Sequence, residues 1–391
     1  MNIQRESPFM KVIAVGSGNI GSVAVEDLAT NMKSTEIIIA DKDDSRSKAV
    51  VERIGRNNVS SIQLDIVDRN KLLQTLKKFD LAMGFLPGAL GYDLMKACIK
   101  AKKSLVDVSY MAENPLKLHS AASKARITLI PDCGLAPGIS NFLVGHAYAK
   151  LEKTSSVKIM VGGLPEKPVP PLDYVITWSS DGLIDEYTRK AVIIQHGKKT
   201  EVEALSGVEA INFPKVGKLE AFYTDGLRTL SQTLKDVEEM WEKTLRYPGH
   251  AEKIKMIEKL GFFEEEKVKI EDTLVSPRKL TARLLERKLK IPKIKDFVAM
   301  KVEVSGVKNG KRVSFVYHML DKYDQKRGIT AMARTTAYPM SIVAQLMLKG
   351  IIKQKGVIPT EKLGMEKEVV QEYLSQLKKR DIKIIEAKET R

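Results

Sequence analysis

The chain has 391 residues, of which 43% are hydrophobic, 6% aromatic and 29% charged. These figures exclude a disordered, collagen-like or small disulfide-stapled protein, and a single core stops growing near roughly 250–300 residues, so two domains are expected. Lys and Arg exceed Asp and Glu by 16, and two cysteines, Cys98 and Cys133, make neither a disulfide framework nor a CxxC pair, which fits a reducing, cytoplasmic interior.

The first nine residues (MNIQRESPF) lack the apolar core of a signal peptide and read as a short tail or start-site extension before Met10. From Lys11 to Pro131 the pattern alternates strand and helix. Lys11–Val15 is an apolar run ending in glycines, 21–32 carries apolar residues at helical spacing, and 36–40 is a buried strand ending at Asp41. Further strands are expected at 61–64, 81–85, 105–108 and 128–130, with helices at 69–78, 89–101 and 115–125. The strands are unbroken apolar runs, which means burial on both faces. Strands alternating with helices then predict an α/β fold with a doubly wound parallel sheet of Rossmann type.

The longest uncharged stretch, 133–149, is broken by Gly134, Pro137, Gly138 and Asn141 and falls short of a membrane span. Residues 165–171 form a proline-rich extended loop. Strands are expected at 157–161, 173–178, 191–195, 201–205 and 240–247, without regular helices between them. Strands 298–305 and 312–319 flank Asn309-Gly310, which favours a tight hairpin because both residues tolerate positive φ. This is a mostly antiparallel sheet, hence a second, α+β domain. Residues 277–295 hold eight basic residues and one acid, with Leu280, Leu284, Leu285 and Leu289 on one helical face. That is read as a solvated basic face, not a nucleic-acid or membrane surface, since no aromatics are interleaved. A helix is expected at 338–350, with Pro339 in its first turn and Gly350 as its stop, and a charged surface helix at 366–379.

Residues 16–21 read Gly16-Ser17-Gly18-Asn19-Ile20-Gly21, a GxGxxG hexamer. A strand precedes it, a helix begins at its last glycine, the βαβ unit closes within about thirty residues, and Asp41 stands twenty residues on. Gly16 permits the tight turn, Gly18 lets backbone approach a pyrophosphate, and Gly21 lets the helix pack on the strand. The helix N-terminus offers N–H groups to phosphate. Asp41 would accept from the adenosine ribose hydroxyls and repel a 2′-phosphate, so the expected cofactor is NAD. Ligands in such sheets lie beyond the carboxyl ends of the strands. That adds Asp65 and Ile66 near the adenine, Phe85, Leu86, Pro87 and Gly88 near the nicotinamide, and Asp107, Val108 and Tyr110 after the fifth strand. No metal is expected, because His119, His146, His196, His250 and His318 are too dispersed for any ligand spacing.

The segments GSGNIG (16–21), PDCGLAPGISN (131–141), VGGLPEKPVPPLDY (161–174), SSDGLIDEYT (179–188), LEAFYTDGLRTL (219–230), TLRYPGHAEK (244–253) and TAMARTTAYPMSIVAQLMLKG (330–350) resemble the saccharopine dehydrogenase-like superfamily, and within it the L-lysine 6-dehydrogenase branch. The resemblance implies a Rossmann domain (1–133), an α+β domain for substrate and subunit contacts (134–330), and a C-terminal segment returning to the Rossmann domain (331–391). It implies NAD-dependent oxidation of the ε-amine of L-lysine to an aldehyde that cyclises to 1-piperideine-6-carboxylate. A secondary-amine dicarboxylate such as saccharopine, another ω-amino acid, or NAD binding without turnover are the alternatives. Where the saccharopine-forming branch has an Asn-Arg-Asp pattern, this chain has Thr224-Asp225-Gly226, which argues against a bulky dicarboxylate.

Amine oxidation needs a base for the ammonium proton and groups that fix a small amino acid. Arg246 is the expected carboxylate clamp, since a guanidinium matches a carboxylate bidentately. His250, beyond the Pro248-Gly249 bend, is the expected proton shuttle in the cleft between the domains, with Asp107 and Tyr110 as alternative acceptors. Glu220, Thr224 and Asp225 would meet the substrate and hold an ammonium. The resemblance and the edge strands of the second domain imply a homodimer or a higher even oligomer.

Overall fold

The structure, a computed structural model, describes residues 10–390. The expected tail at 1–9 lies outside the described residues. The chain forms two compact units. One runs to Gly134 and resumes over Thr336–Arg380; the other is Leu135–Thr335 with the chain from Asp381 onward.

The first unit is built on β1 (Lys11–Val15), β2 (Glu36–Asp41), β3 (Val59–Gln63), β4 (Leu81–Gly84), β5 (Ser104–Asp107) and β6 (Thr128–Ile130). All neighbours pair in parallel in the order β6-β5-β4-β1-β2-β3, and Gly356–Val357 adds a short strand outside β6. The order reverses direction between β1 and β4, the topological switch point where such sheets bind ligands. Val12, Ile13, Ala14, Leu105 and Leu129 are wholly buried, as strands covered by helices on both faces require. The expected helix at 115–125 is split: a 3₁₀ turn, Pro115–Leu118, precedes helix His119–Lys124.

The second unit carries β7 (Lys153–Pro165), β8 (Ala191–Gln195), β9 (Lys198–Val202), β10 (Glu209–Phe213), β11 (Gly217–Tyr223) and β12 (Glu239–Arg246). These are followed by a small hairpin of β13 (Val268–Ile270) and β14 (Thr273–Val275), and by β15 (Asp296–Lys308) and β16 (Lys311–Lys322). The large sheet runs β10-β11-β12-β7-β15-β16 and ends on Ile384–Thr390, with β8 and β9 attached beside β12. Only β12 and β7 pair in parallel; the other pairings are antiparallel. The C-terminal segment is therefore divided, because its last strand pairs with β16.

Besides that split, and helices Ser180–Thr188 and His250–Lys259 where no regular helix was expected, four elements differ from the sequence reading. Residues 173–178 are not a strand. Asp173 has φ +53°, and the alternating Leu172, Tyr174 and Ile176 fill a core instead of facing a ladder. The strand expected at 201–205 is the earlier β9. The helix expected at 338–350 spans Ala331–Leu348. Its start is moved back by a distant residue: the Asp296 carboxylate accepts from the N–H groups of Ala331 (2.7 Å) and Met332 (3.0 Å). Helix Pro277–Leu289 buries Thr281, Ala282 and Leu289, while Leu280 and Leu284 face outward.

Candidate functional site

Gly16 has φ +109° and donates to the Ala40 carbonyl. A Cβ there would meet the Phe85 carbonyl oxygen at 2.7 Å, and one at Gly21 would meet the Gly16 oxygen. These two glycines are fixed by close approach. Gly18 is different: a Cβ there would meet nothing within 4 Å. Gly18 also caps helix Asn19–Asn31 with no side chain on its first N–H groups. An open, uncapped helix start with Asn19 exposed and Ile20 half-buried fits the pyrophosphate of a dinucleotide.

Asp41 closes this loop. Its Oδ2 accepts from the Ser17 N–H and the Ser17 hydroxyl, both at 2.7 Å, and its Oδ1 from the Asp43 N–H at 3.0 Å. One Arg46 nitrogen reaches both oxygens at 2.9 Å. Burial opposes ionisation of Asp41, yet these hydrogen bonds hold its pKa below the ordinary carboxylate value. A ribose hydroxyl must therefore share Asp41 with Arg46, whose side chain is half-exposed and able to swing aside.

The other strand ends are placed as follows. Asp65 is exposed and spends its carboxylate on a local turn, accepting from the Val67 N–H at 3.0 Å. Ile66 packs on the core, and Val67 is 72% exposed. The Phe85 ring lies against Gly21, so it shapes the glycine loop from behind. Leu86 is half-buried and Pro87 exposed. Gly88 is required by the Tyr110 carbonyl, which a Cβ would strike. Val108 donates to the Gly84 carbonyl and is half-buried, as is Tyr110. Asp107 is wholly buried: its Oδ1 accepts from the Ser109 N–H and hydroxyl, while its Oδ2 has no hydrogen-bond partner among the described residues. Burial, helped by nearby Asp132, pushes its pKa up to about 7.

The second unit gathers charge on one face of its sheet. Period two along β12 puts Glu242, Thr244 and Arg246 on the same side, all buried. Arg246 is 3% exposed. It donates from Nε to the Tyr187 hydroxyl (3.2 Å), from one terminal nitrogen to Glu186 (3.0 Å) and from the other to the Leu245 carbonyl (2.9 Å). The guanidinium also stacks on Tyr174 at 4.5 Å. Glu186 and Tyr187 come from helix Ser180–Thr188, which Ser179 caps. The expected clamp is thus already engaged by a carboxylate of its own chain.

His250 is 0% exposed. Its Nδ1 contacts the Leu172 carbonyl at 2.7 Å and its Nε2 the Tyr187 oxygen at 2.8 Å. A carbonyl only accepts, so Nδ1 carries the hydrogen. Nε2 then accepts from Tyr187, whose oxygen in turn accepts from Arg246. Burial, with Arg246 beside it, pushes the His250 pKa down to about 3. This corrects the expected proton shuttle: the imidazole stays neutral near pH 7 and fixes Tyr187. Glu220 needs a similar correction. Its carboxylate accepts from the N–H groups of Gly249 and Ala251, both at 2.7 Å, and so anchors the start of helix His250–Lys259 rather than an ammonium.

Thr224, Asp225 and Gly226 all serve this cluster. Thr224 lies 2.6 Å from Glu242 and 2.8 Å from Thr244, whose hydroxyl is 2.7 Å from Glu186. A Cβ at Gly226 would strike the Glu242 carboxyl. Asp225 pairs with Arg228 (3.4 Å) and Arg189 (3.6 Å). Glu242 is 3% exposed, and burial, with Glu186 and Asp225 nearby, holds its pKa well above the ordinary value. The sequence reading missed Tyr174, Glu186, Tyr187, Glu242 and Thr244. The alternating polar side of β12 was the available signal. Among the described residues no group of three His, Cys, Asp or Glu could hold a metal ion, and no helix is long and apolar enough to cross a membrane.

Residues 12–130 match the saccharopine dehydrogenase NADP binding domain, and residues 134–382 match the saccharopine dehydrogenase C-terminal domain. The chain is 24% identical to the saccharopine dehydrogenase [NADP(+), L-glutamate-forming] of Schizosaccharomyces pombe, over 89% of this chain and 93% of that one. It is 21% identical to the carboxyaminopropylagmatine dehydrogenase of Synechocystis, over 90% and 92%. It spans only 22% of the alpha-aminoadipic semialdehyde synthase of Arabidopsis thaliana, at 28% identity over 56% of this chain. In fold it is similar to the apo saccharopine dehydrogenase (L-Glu forming) of Saccharomyces cerevisiae, with a TM-score of 0.78 and 20% identity, covering 97% of this chain and 100% of that one. With a Rossmann half-site in one unit and both domain families matched across nearly its whole length, the chain belongs to the saccharopine dehydrogenase family of oxidoreductases, which use a nicotinamide cofactor.

Proposed function

We propose that this protein is an NAD-dependent dehydrogenase that oxidises the ε-amine of L-lysine, releasing an aldehyde that cyclises to 1-piperideine-6-carboxylate. The observation that carries the choice of substrate is the pairing of the cluster's cations. Arg246 faces Glu186, and Arg189 and Arg228 face Asp225. That leaves little cationic capacity for a substrate with several carboxylates, and suits one with a single carboxylate and two ammonium groups. Thr224 and Gly226 support the same reading, since both are committed to Glu242. The bound nicotinamide supplies the hydride acceptor. The chain's part is to hold the amine deprotonated and oriented, with Asp107 or Tyr110 as proton acceptor.

NAD is favoured over NADP because Asp41, ionised and flanked by exposed Asp43, would oppose a 2′-phosphate. The second reading, a saccharopine-type enzyme using NADP, rests on the names of the relatives and on Arg46, which could meet that phosphate. A protein that binds NAD without turnover is the third. Absorbance of the reduced cofactor, followed with lysine or saccharopine and with NAD⁺ or NADP⁺, separates them. Lysine with NAD⁺ is expected to give the largest kcat/KM, by at least about tenfold, a difference of about 1.4 kcal/mol. Faster turnover of saccharopine would establish the second reading, and no turnover of either the third.

A homodimer or higher even oligomer is proposed through the second unit. Met256, Leu260, Phe262, Val268, Ile270 and Leu274 are all exposed there and are the candidate contacts. Light scattering giving the monomer mass of 43.7 kDa would overturn it. The two buried free thiols, Cys98 and Cys133, support a reducing, cytoplasmic setting.

A further inference from the structure

Four oxygen-bearing side chains form a line through the interior of the second unit: Glu242, Thr224, Thr244 and Glu186. The three contacts between them are 2.6, 2.8 and 2.7 Å, each short enough to need a hydrogen between two oxygens. Two threonine hydroxyls supply two hydrogens. The third must come from a carboxylic acid at one end. Glu186 is paired with the Arg246 guanidinium at 3.0 Å. Glu242 is 3% exposed, and no ion pair reaches it among the described residues.

We propose that Glu242 is a protonated carboxylic acid at neutral pH and forms, with Thr224 and Thr244, a proton relay that ends on Glu186. In the resting state Glu242 donates to Thr224, Thr224 to Thr244, and Thr244 to the Glu186 carboxylate. A concerted shift moves each hydrogen one place along: Glu242 loses its proton, both threonines keep one hydroxyl hydrogen each, and Glu186 gains a proton. The net transfer is one proton from Glu242 to Glu186, no heavy atom has changed place, and the reverse shift restores the resting state. Glu186 is the outlet, because its side chain is 13% exposed where Glu242 is enclosed. The charged and titratable groups around the line are Glu186 and Tyr187 on helix Ser180–Thr188, Arg246 on β12, and Asp225 after β11 with its partners Arg189 and Arg228. Gly226 is part of the device, since any side chain there would displace the Glu242 carboxyl.

Glu242, Thr224 and Thr244 are positioning residues that act through Glu186. The use of the relay in catalysis rests on the proposed amine chemistry, which consumes and returns protons; its existence does not. The test therefore needs no substrate. Infrared spectra of the wild-type protein at pH 7 are expected to contain the carbonyl stretch of a protonated carboxyl that is missing from Glu242→Gln, whose amide keeps the donor to Thr224. In D₂O this band should shift as the carboxyl exchanges its proton. Thr244→Val, which breaks the line but keeps its volume, should slow that shift at least tenfold. Thr224→Val serves the same purpose if Thr244→Val does not fold. Identical carbonyl bands in wild type and Glu242→Gln would show that Glu242 is ionised and overturn the proposal. Exchange as fast in both valine variants as in the wild type would overturn the relay.

Discussion

Arg246→Met is expected to destabilise the second unit by about 3–5 kcal/mol, the usual loss when one partner of a buried ion pair is removed. The guanidinium is 3% exposed, and its removal leaves the Glu186 carboxylate without a countercharge, the Tyr187 oxygen without its donor and the Tyr174 ring without its stacked partner. Glu186→Gln alone should also be costly, because it leaves the guanidinium buried and uncompensated. The double variant should lose clearly less than the sum of the two, since each single change already breaks the same pair. Arg246→Lys should recover little: an ammonium has no planar face for Tyr174 and cannot reach Tyr187, Glu186 and the Leu245 carbonyl from one plane. Urea unfolding followed by tryptophan fluorescence measures all four variants against the wild type. A loss under about 1 kcal/mol for Arg246→Met would mean that the pair contributes no more than a surface bridge. A KM for lysine that rises by about a hundredfold or more in a variant still folded would restore the substrate clamp as its main task.

The sequence was most legible where one local rule decides the outcome. The glycine hexamer, the apolar strands before and after it and the acid at the end of β2 are contiguous, and each has one physical reason, so the first unit could be read strand by strand. Even there Phe85 and Gly88 have a packing role that the sequence did not show. Their neighbours, Gly21 and the Tyr110 carbonyl, are distant in sequence, and only the fold shows that backbone packing claims them. The cluster around Arg246 was hidden for the same reason. Arg246 and His250 sit four residues apart in one motif, but what decides their chemistry comes from Leu172, Tyr174, Glu186 and Tyr187, 59 to 78 residues earlier. A histidine with both nitrogens bonded and no exposure is a structural strut, whatever its ordinary pKa suggests. Pro339 taught a related lesson. A proline looked like a helix start, yet the Asp296 carboxylate starts the helix eight residues before it. Thr224-Asp225-Gly226 could be flagged as unusual from sequence but not explained, because its partner Glu242 lies on the next strand.

Asp107→Asn is expected to become progressively more stable than the wild type as pH rises from about 4 to about 7. Asp107 is 0% exposed at the carboxyl end of β5, and among the described residues no ion pair reaches it and its Oδ2 meets no donor. Burial is the main cause of its raised pKa, and nearby Asp132 adds to it, against the two hydrogen bonds from Ser109. The folded value of about 7 lies above the ordinary 3.8. The folded state therefore binds the proton more tightly than the unfolded chain does. Its contribution to stability is fully present below pH 3.8 and is lost as pH rises through 7. At about 1.4 kcal/mol per pH unit the whole loss amounts to about 4 kcal/mol, all of it tied to one carboxyl. Asparagine is neutral at every pH, so it keeps the acceptor for Ser109 and loses the titration. The difference in unfolding free energy between variant and wild type should thus climb across this window and flatten above it. A difference that stays constant from pH 4 to pH 8 would mean that Asp107 does not titrate in this window and would overturn the expectation. The same variant also bears on the reaction. If Asp107 accepts the substrate proton, Asp107→Asn should gain stability at pH 7.5 and lose at least about a hundredfold in kcat there, within the range of a removed general base. A stabilised variant that keeps its kcat would leave Tyr110 as the remaining acceptor at this end of the sheet.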